Sequence, residues 1–463
     1  MKSIENLKKN PWIIFCVTAI GIGMSSFDAG IVNVALPTIT ANFNTDIAYT
    51  QWIVSGYLLM ICMLLPLFGK LSDMYPRKNI YLFGLIIFSI SSMFCSLSLD
   101  IYQLILARII QGIGAAMIMA NNQALIVMSF PEAKRGAALG VNSTMVSLGL
   151  LIGPTLGGIL VSYWSWKSIF YINIPLGIIG CCIGFLLLPY NHCGKKSSIN
   201  VYNMACFFVG GSSLFLFFNN SSIWGWFSTK SNISLFVAIL FLTIFAYFEL
   251  KSKNPLIQFS LFRIKSFFWG NILSFSIYFI ISGSSIILPF YLEKQLNLLP
   301  NQIGFILFII PLCMVTVSPI SGFFSDKYSI AKIVSAGMLI MCLGISIQFL
   351  ILLYNTYYII ILSQTIIGIG YALFQAPNNS SILSEVPKST LGISGSLSSF
   401  VRNMGKVFGT SITIVIFQIT ESVLKRSSSI KTAFQYTFVI TMFVLALFLG
   451  LCIYINQYNK DQS

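Results

Sequence analysis

The chain has 463 residues, of which 56% are hydrophobic and only 8% are charged; soluble domains carry about a quarter charged residues, so this composition excludes an ordinary soluble fold and predicts a chain that crosses a membrane many times. The net charge of +15 does not indicate a nucleic-acid partner, because the Lys and Arg residues are scattered between apolar runs rather than clustered. The ten Cys and the single His lack metal-ligand spacing, so the sequence predicts no metal site and no disulfide framework.

Charged and turn residues divide the chain into fourteen apolar segments. Their approximate ranges are 12–36, 49–69, 79–99, 102–129, 137–163, 169–189, 201–221, 232–250, 266–291, 301–323, 332–353, 356–384, 391–418 and 433–456. We expect every segment to be a helix, because a lipid-exposed strand would leave backbone hydrogen-bonding groups unpaired and these runs do not alternate in polarity. The sequence therefore predicts an all-α membrane protein with fourteen transmembrane helices.

The distribution of positive charge predicts which way these helices point. With both termini inside, eighteen of the 27 Lys and Arg residues fall on the cytoplasmic side and six on the outer side. The remaining three, Arg108, Arg402 and Lys406, lie within predicted spans. Since cytoplasmic loops carry an excess of Lys and Arg, we expect a multi-pass protein of the cell membrane with both termini in the cytoplasm.

An internal repeat indicates how the spans are grouped. The recurring residues, shifted by 256 positions, are Gly112 and Gly114 with Gly368 and Gly370, and Gly149 and Gly153 with Gly405 and Gly409. Six spans and their loops fill only about 190 residues, so this shift leaves room for two additional helices. We predict an N-terminal six-helix bundle over 1–190, two inserted helices with linkers over 191–262, and a C-terminal six-helix bundle over 263–463. Parallel repeats of this kind are typical of transporters.

Asp28 is an isolated carboxyl group in the first predicted span. It lies about 16 residues, or roughly 24 Å of helix, beyond Trp12, which places it in the outer half of the membrane. A carboxylate at that depth is costly and usually faces a water-filled cavity. Desolvation favours its neutral form, which would let Asp28 take up and release a proton under physiological conditions. The alternative is a structural Asp28 that bonds Asn33 or a nearby hydroxyl group.

Four motifs together resemble a known family. They are Phe27–Pro37 in the first span, Gly69–Lys78 between the second and third spans, Arg108–Gly114 in the fourth and Gly149–Gly158 in the fifth. The sequence resembles the major facilitator superfamily, specifically its fourteen-span drug:proton antiporter branch (the EmrB/QacA-like group), over essentially the whole chain. One departure is Pro76, which stands where the family usually has Gly before the Arg of the loop motif.

This resemblance implies roles for several charged residues. Asp73 and Arg77 would form gating ion pairs that exist in one state and break in the other. Asp326 lies in Gly322–Asp326, which matches Gly69–Asp73 with a shift of 253, and would take part in the same pairs. Arg108 would take part in proton coupling. The alternative for Arg108 is a side chain that extends to the outer headgroups.

The motif in the fifth span is the antiporter motif of the resembling family, where it marks exporters. Its principal residues are Gly149, Gly153, Pro154, Gly157 and Gly158. Small residues four positions apart let two helices approach closely, and the proline permits a bend. A plain helix-packing seam would need the same residues, so the direction of transport follows from the resemblance alone.

Arg402 and Lys406 are four residues apart on one predicted span and therefore share a helix face. Three interpretations remain open: both face the cavity and favour a partly anionic substrate, Arg402 pairs with Asp28 during part of the cycle, or both line a cytoplasmic vestibule. Asp28 is the one carboxyl group that the predicted spans place well inside the membrane, which predicts one proton per cycle and poor transport of dications.

We expect a proton-coupled secondary transporter that exports hydrophobic, cationic compounds by alternating access. Asp28, Arg108 and Arg402 are its candidate proton- and substrate-binding residues. The expected partners are these small substrates, protons and membrane lipid, with no nucleic acid, and the expected setting is a monomer in a bacterial cell membrane. The sequence has no Walker-type phosphate-binding loop and no nucleophile–base pair within its spans, so we expect neither a cofactor nor an enzyme. A specific exporter of a metabolite, peptide, siderophore or lipid is the first alternative, and a non-transporting membrane sensor is the second.

Overall fold

A computed structural model describes residues 11–131, 135–188, 200–225, 227–252, 255–327, 329–354, 357–384, 386 and 391–424, and within them the regular structure is helical. Thirteen long α-helices follow one another along this part of the chain. They are α1 Pro11–Asn42, α2 Trp52–Met74, α3 Arg77–Leu97, α4 Ile101–Ser129, α5 Arg135–Tyr163, α6 Asn173–Leu187, α7 Val201–Trp224, α8 Thr229–Lys251, α9 Lys265–Leu296, α10 Pro300–Lys327, α11 Ile330–Tyr354, α12 Tyr357–Ser384 and α13 Leu391–Leu424. One-turn helices at Ile47–Thr50 and Ser168–Tyr171 precede α2 and α6, and a 3-10 helix at Phe259–Arg263 precedes α9.

The apolar helices fit a membrane. Among the described residues, eleven helices are long and apolar enough to cross a bilayer. Burial separates central helices from peripheral ones, since 67% of the apolar window of α1 is buried but only 17% of that of α8. The chain is therefore a multi-pass membrane protein with α1 in its interior and α8 at its lipid-facing edge. Thirteen of the fourteen predicted segments correspond to α1–α13, and the last, 433–456, lies outside the described residues.

Helix contacts in the first part of the chain recur in the second part. α1 packs on α5 as α9 packs on α13, and α3 packs on α4 as α11 packs on α12. Glycines allow α3 to approach α4 and α11 to approach α12. A Cβ on Gly114 would lie 2.7 Å from the Gly84 carbonyl oxygen, and a Cβ on Gly370 would lie 2.6 Å from the Gly337 carbonyl oxygen. The glycines that recur in the sequence thus occupy equivalent helix crossings. The division of the chain at 190 and 262 stays a prediction.

The helices before the α7–α8 pair form a first group and the helices after it form a second group. The two groups meet at two seams, one between α2 and α13 and one between α5 and α10. At the α5–α10 seam a Cβ on Gly158 would lie 2.9 Å from the Asn301 Cα, and the Asn301 backbone N–H donates a hydrogen bond to Ser162 Oγ at 3.1 Å. By the predicted orientation this contact lies at the outer ends of both helices. α7 packs on α8 and also contacts α13 and α2, so the α7–α8 pair flanks the other seam.

A buried carboxylate fastens the α7–α8 pair to the chain that follows it. Glu249, near the end of α8, is only 2% exposed. It accepts hydrogen bonds from the Asn203 side-chain amide on α7 and from the Ile257 backbone N–H at 2.5 Å. Lys70, from the end of α2, lines the same small pocket. Glu249 therefore ties together α7, α8 and the segment that leads into α9.

We expect Glu249→Leu to lower the unfolding free energy by about 1–3 kcal/mol, because it leaves buried hydrogen-bond donors without an acceptor. Thermal unfolding of the purified protein in detergent measures this loss. Glu293→Gln is the matched control, since Glu293 is half-buried on α9 and its Oε2 lacks a hydrogen-bond partner. Equal unfolding temperatures for both variants would show that Glu249 does not anchor the helix pair.

Candidate functional site

Asp28 lies in the middle of α1, at the centre of a buried polar network. Its side chain is 0% exposed. The Arg108 guanidinium on α4 contacts it, with Nη1 2.5 Å from Asp28 Oδ2. Two amide groups donate to the other carboxylate oxygen, Asn173 Nδ2 at 3.0 Å from the start of α6 and Gln111 Nε2 at 3.2 Å from α4. Both oxygens of Asp28 are thus engaged by side chains from two other helices.

Arg108 is held by groups other than Asp28 as well. Its Nε donates to the Ile53 carbonyl oxygen in the first turn of α2 at 3.0 Å, and its Nη1 lies 2.5 Å from Gln111 Oε1. The guanidinium carbon stands 4.2 Å from the centre of the Tyr57 ring, a distance at which a cation is attracted to the ring face. Arg108 is only 1% exposed, so its side chain does not extend to the headgroups in this structure.

Gln111 links the charged pair to a further helix. The same Nε2 that donates to Asp28 also lies 2.7 Å from Ser92 Oγ on α3. Gln111 and Asn173 were not singled out from the sequence. One signal was available, because Gln111 lies one helical turn after Arg108 and must therefore share its face. Asn173 gave no comparable signal, since nothing in its local sequence shows that it meets α1.

This geometry differs from the expected exposure of Asp28. The sequence predicts a carboxylate that faces a water-filled cavity, whereas the structure surrounds Asp28 with protein donors and leaves it no exposed surface. A buried carboxylate needs such compensation, because transfer of an unpaired charge out of water is very costly. Asn33 is not among its hydrogen-bond partners, and the Asn33 side-chain oxygen has no partner of its own. In this conformation the site can hold an ion pair but cannot exchange a proton directly with water.

The small residues of α5 fix the position of α1, which carries Asp28. A Cβ on Gly153 would lie 2.8 Å from the Phe27 carbonyl oxygen and 3.1 Å from the Ile31 nitrogen. A Cβ on Gly149 would lie 3.1 Å from the Phe27 nitrogen, and a Cβ on Gly157 would lie 3.0 Å from the Ile31 carbonyl oxygen. Gly158 points the other way, to α10, and so does the carbonyl group of Pro154, which approaches Gly304. The motif therefore joins α5 to α1 on one face and to α10 on the other.

The proposed gating residues are only partly described. Asp73 lies in the last turn of α2 and Asp326 near the end of α10, and both side chains fall outside the described residues. Arg77 is the first residue of α3, and its Nε donates to the Ser72 carbonyl oxygen at 3.2 Å. Pro76 precedes it with backbone angles of φ −55° and ψ 118°. The Arg77 side chain thus bonds the end of the helix that carries Asp73.

The neighbouring Lys78 contacts the end of α6. Its Nζ donates to the Phe185 carbonyl oxygen at 2.7 Å and to the Leu188 carbonyl oxygen at 3.0 Å. These two carbonyl groups lie at the C-terminal end of α6, where helix carbonyls lack partners within the helix and a cation is favoured. Lys78 therefore caps α6, the helix that supplies Asn173 to the buried site.

Arg402 and Lys406 lie on α13 and contact groups outside the Asp28 network. Arg402 Nη2 donates to Ser399 Oγ at 2.7 Å on the same helix. Lys406 Nζ stands 5.4 Å from the centre of the Tyr278 ring on α9. Both cations are half-buried. The structure therefore brings Asp28 together with Arg108 and not with Arg402.

The family is shown by comparison with known proteins. A model of the Major Facilitator Superfamily matches residues 18–269 and 270–462. The riboflavin transporter RibZ of Clostridioides difficile (strain 630) is 34% identical over 406 residues, which are 87% of this chain and 87% of RibZ. Multidrug export protein EmrB of Escherichia coli (strain K12) is 28% identical over 410 residues, 86% of this chain and 78% of EmrB.

Two solved structures have a fold similar to that of this chain. A crystal structure of the peptide transporter POT in complex with sulfate matches with a TM-score of 0.70 and 15% sequence identity, covering 96% of this chain and 95% of that chain. A POT family transporter in complex with 5-aminolevulinic acid matches with a TM-score of 0.69 at 16% identity, covering 96% of each chain. The family model, the relative above 30% identity and the shared helical architecture lead to one conclusion: this chain belongs to the Major Facilitator Superfamily.

Proposed function

We propose that this protein is a proton-coupled secondary transporter, of the fourteen-span drug:proton antiporter branch, that exports small hydrophobic organic compounds. The observation that supports this proposal is the fully buried pair of Asp28 and Arg108. A buried ionisable pair rarely improves stability over apolar packing of the same volume, and ionisable residues inside membrane spans usually belong to a transport pathway or a proton relay. Asp28 is the carboxyl group that this pair offers for protonation.

The geometry suggests how a proton could control the carrier. Protonation of Asp28 removes its attraction for Arg108, while Arg108 keeps its bonds to Ile53 and Gln111 and its place on the Tyr57 ring. α1 is then less firmly held to α4 and can shift relative to it. Since Asp28 has no exposed surface here, water must reach it in a second conformation. Rearrangement at the α2–α13 and α5–α10 seams would open that route, as alternating access requires.

The charge preferred in the substrate is a separate question. The sequence favours cationic compounds because an acid lies within the first span. However, Asp28 already has a cationic partner, so in this conformation it offers no free negative charge to a cationic substrate. Export of drugs stays a prediction from the motifs, and one proton per cycle stays a prediction from the single carboxyl group within the predicted spans.

A specific metabolite transporter is the second candidate function. It is favoured by the 34% identity to a protein named as a riboflavin transporter, which exceeds the 28% identity to the multidrug proteins named EmrB and Stp. The four motifs are compatible with either substrate range. We propose for both candidates a monomer in the cell membrane, with both termini in the cytoplasm, that uses the proton gradient and no cofactor, and has no enzymatic activity.

Dye efflux from cells tests proton coupling. We expect cells with the wild-type protein to extrude a fluorescent substrate until an uncoupler is added. Efflux by Asp28→Asn, and by Asp28→Asn combined with Arg108→Gln, is expected to stay at the uncoupled level, because neither variant has an exchangeable proton at position 28. Asp46→Asn is the matched control, since Asp46 is exposed and its side chain makes no helix-capping bond.

Two results would contradict this proposal. Efflux by both Asp28 variants that persists in the presence of the uncoupler would remove proton coupling from the mechanism. Absence of any transport by the wild-type protein, tested in vesicles with riboflavin and with cationic and anionic dyes, would favour a non-transporting sensor instead.

A further inference from the structure

Arg402 and Lys406 are two cations of α13, within a predicted span, without an acidic partner among the described residues. The carboxylates whose side chains the structure describes all lie elsewhere. Asp28 pairs with Arg108, and Glu249 is hydrogen-bonded at the end of α8. Asp46 and Asp100 precede helices on the outer side, and Glu293 is near the end of α9. Arg402 and Lys406 are four residues apart on α13 and therefore share a helix face, where like charges repel. Ionisable residues within membrane spans usually face a water-filled cavity or a substrate pathway, where they pair with groups of opposite charge.

The groups around these cations come from four helices. The Tyr278 ring on α9 lies beside Lys406, and Tyr371 on α12 packs edge-on against Tyr278 with 5.9 Å between ring centres. Cys62 of α2 also lies near Lys406. This cluster therefore stands at the α2–α13 seam, where the helices of the first and second groups meet. A site that spans a seam can be rearranged when the two groups move, which suits a substrate site.

One polar atom in the cluster lacks a partner. Gln375 on α12 uses its Nε2 to donate to the Tyr278 hydroxyl oxygen at 3.1 Å, and its Oε1 is buried without a hydrogen bond. Buried acceptors of this kind are nearly always satisfied in folded proteins. Gln375 Oε1 is thus available to accept a hydrogen bond from a hydroxyl or N–H group of a bound molecule.

We propose that Arg402, Lys406, Tyr278 and Gln375 form the binding site for an anionic aromatic substrate. The two cations neutralise its anionic oxygen atoms, the Tyr278 face packs against its planar ring, and Gln375 Oε1 accepts a hydrogen bond from a polar ring substituent. Charged donors contribute the strongest hydrogen bonds in such a site, and the ring adds contact area at low entropic cost. This proposal rests on the proposed transport function and specifies the charge of the substrate.

A matched pair of xanthene dyes tests the site. Fluorescein is anionic and rhodamine 123 is cationic, and they share one ring system. We expect the purified full-length protein, in detergent and without a pH gradient, to bind fluorescein roughly tenfold or more tighter than rhodamine 123 in fluorescence anisotropy, since a bond to a charged group contributes at least that factor. Lys406→Gln should weaken fluorescein binding by a similar factor and should leave rhodamine 123 binding unchanged or tighter. Lys406→Arg keeps the positive charge and should retain most of the fluorescein binding.

Controls separate charge recognition from general damage. Lys294→Gln removes an equal charge from an exposed position near the end of α9 and should bind both dyes like the wild type. Arg402→Gln provides a second test if Lys406→Gln does not elute as a folded monomer. Failure of the wild type to bind fluorescein, a preference for rhodamine 123, or equal changes for both dyes in the variants would overturn the proposed site. Because no gradient is used, this result is independent of whether efflux proves to be proton-coupled.

Discussion

Asp28→Asn is expected to lower the unfolding free energy by about 3–5 kcal/mol, because it leaves a buried guanidinium without its counter-charge. Arg108 cannot become neutral, since arginine does not lose its proton in proteins. Arg108→Gln should lower the unfolding free energy less than Asp28→Asn does, because the Asp28 carboxyl group that remains can take up a proton and become neutral. The double variant should be more stable than either single variant, because it contains no unpaired charge. Thermal unfolding of the four proteins in detergent provides the complete double-mutant cycle.

The double variant also separates stability from coupling. If the pair serves chiefly to hold α1 against α4, restoring neutrality should restore efflux along with stability. If Asp28 carries the proton, the double variant should fold well and still show no efflux beyond the uncoupled level. Single-variant costs that simply add in the double variant would show that Asp28 and Arg108 do not interact as the structure describes.

Gly153→Ala is expected to destabilise the protein by about 1–3 kcal/mol through overpacking between α5 and α1. The new methyl group would meet three backbone atoms, Phe27 O at 2.8 Å, Ile31 N at 3.1 Å and Gly30 Cα at 3.2 Å. Backbone atoms of a packed helix cannot rotate away as the end of a side chain can. Because Phe27 adjoins Asp28, displacement of α1 should also reduce gradient-driven efflux.

Gly23→Ala is the matched control for this substitution. Gly23 lies on α1 itself, and a Cβ there would have no neighbour within 4 Å. Alanine favours a helix over glycine by about 1 kcal/mol, so Gly23→Ala should be neutral or slightly stabilising. Thermal unfolding and efflux are measured for both variants. A Gly153→Ala protein as stable and active as Gly23→Ala would show that close contact between α1 and α5 is unnecessary.

The helices could be predicted from the sequence because their apolar runs are long. The predicted span 356–384 corresponds closely to α12 Tyr357–Ser384, and 201–221 to α7 Val201–Trp224. Ends were less accurate where a helix continues past its apolar core, since α1 extends to Asn42 instead of ending near 36 and α13 extends to Leu424 instead of 418. An apolar run indicates which part of a helix lies in the hydrocarbon layer, whereas backbone hydrogen bonding decides where the helix ends.

The candidate site could be predicted only in part. Asp28 and Arg108 were identifiable as charges inside apolar runs, where each must have a physical reason to be present. Their mutual contact was not predictable, because it depends on the crossing of α1 and α4, and Arg402 was an equally acceptable partner by charge alone. Asn173 is 145 residues from Asp28 along the chain. Its position as a donor follows from tertiary packing, which local sequence does not encode.

The membrane potential acts differently on the two charged groups of this carrier. The Asp28–Arg108 pair has no net charge when intact, so its displacement as a unit within the membrane field does little electrical work. Arg402 and Lys406 together carry two positive charges, and each unit charge that crosses a full 100 mV gains or loses about 2.3 kcal/mol. Reorientation of the empty carrier should therefore respond to voltage, whereas binding of a doubly negative ligand would cancel that response.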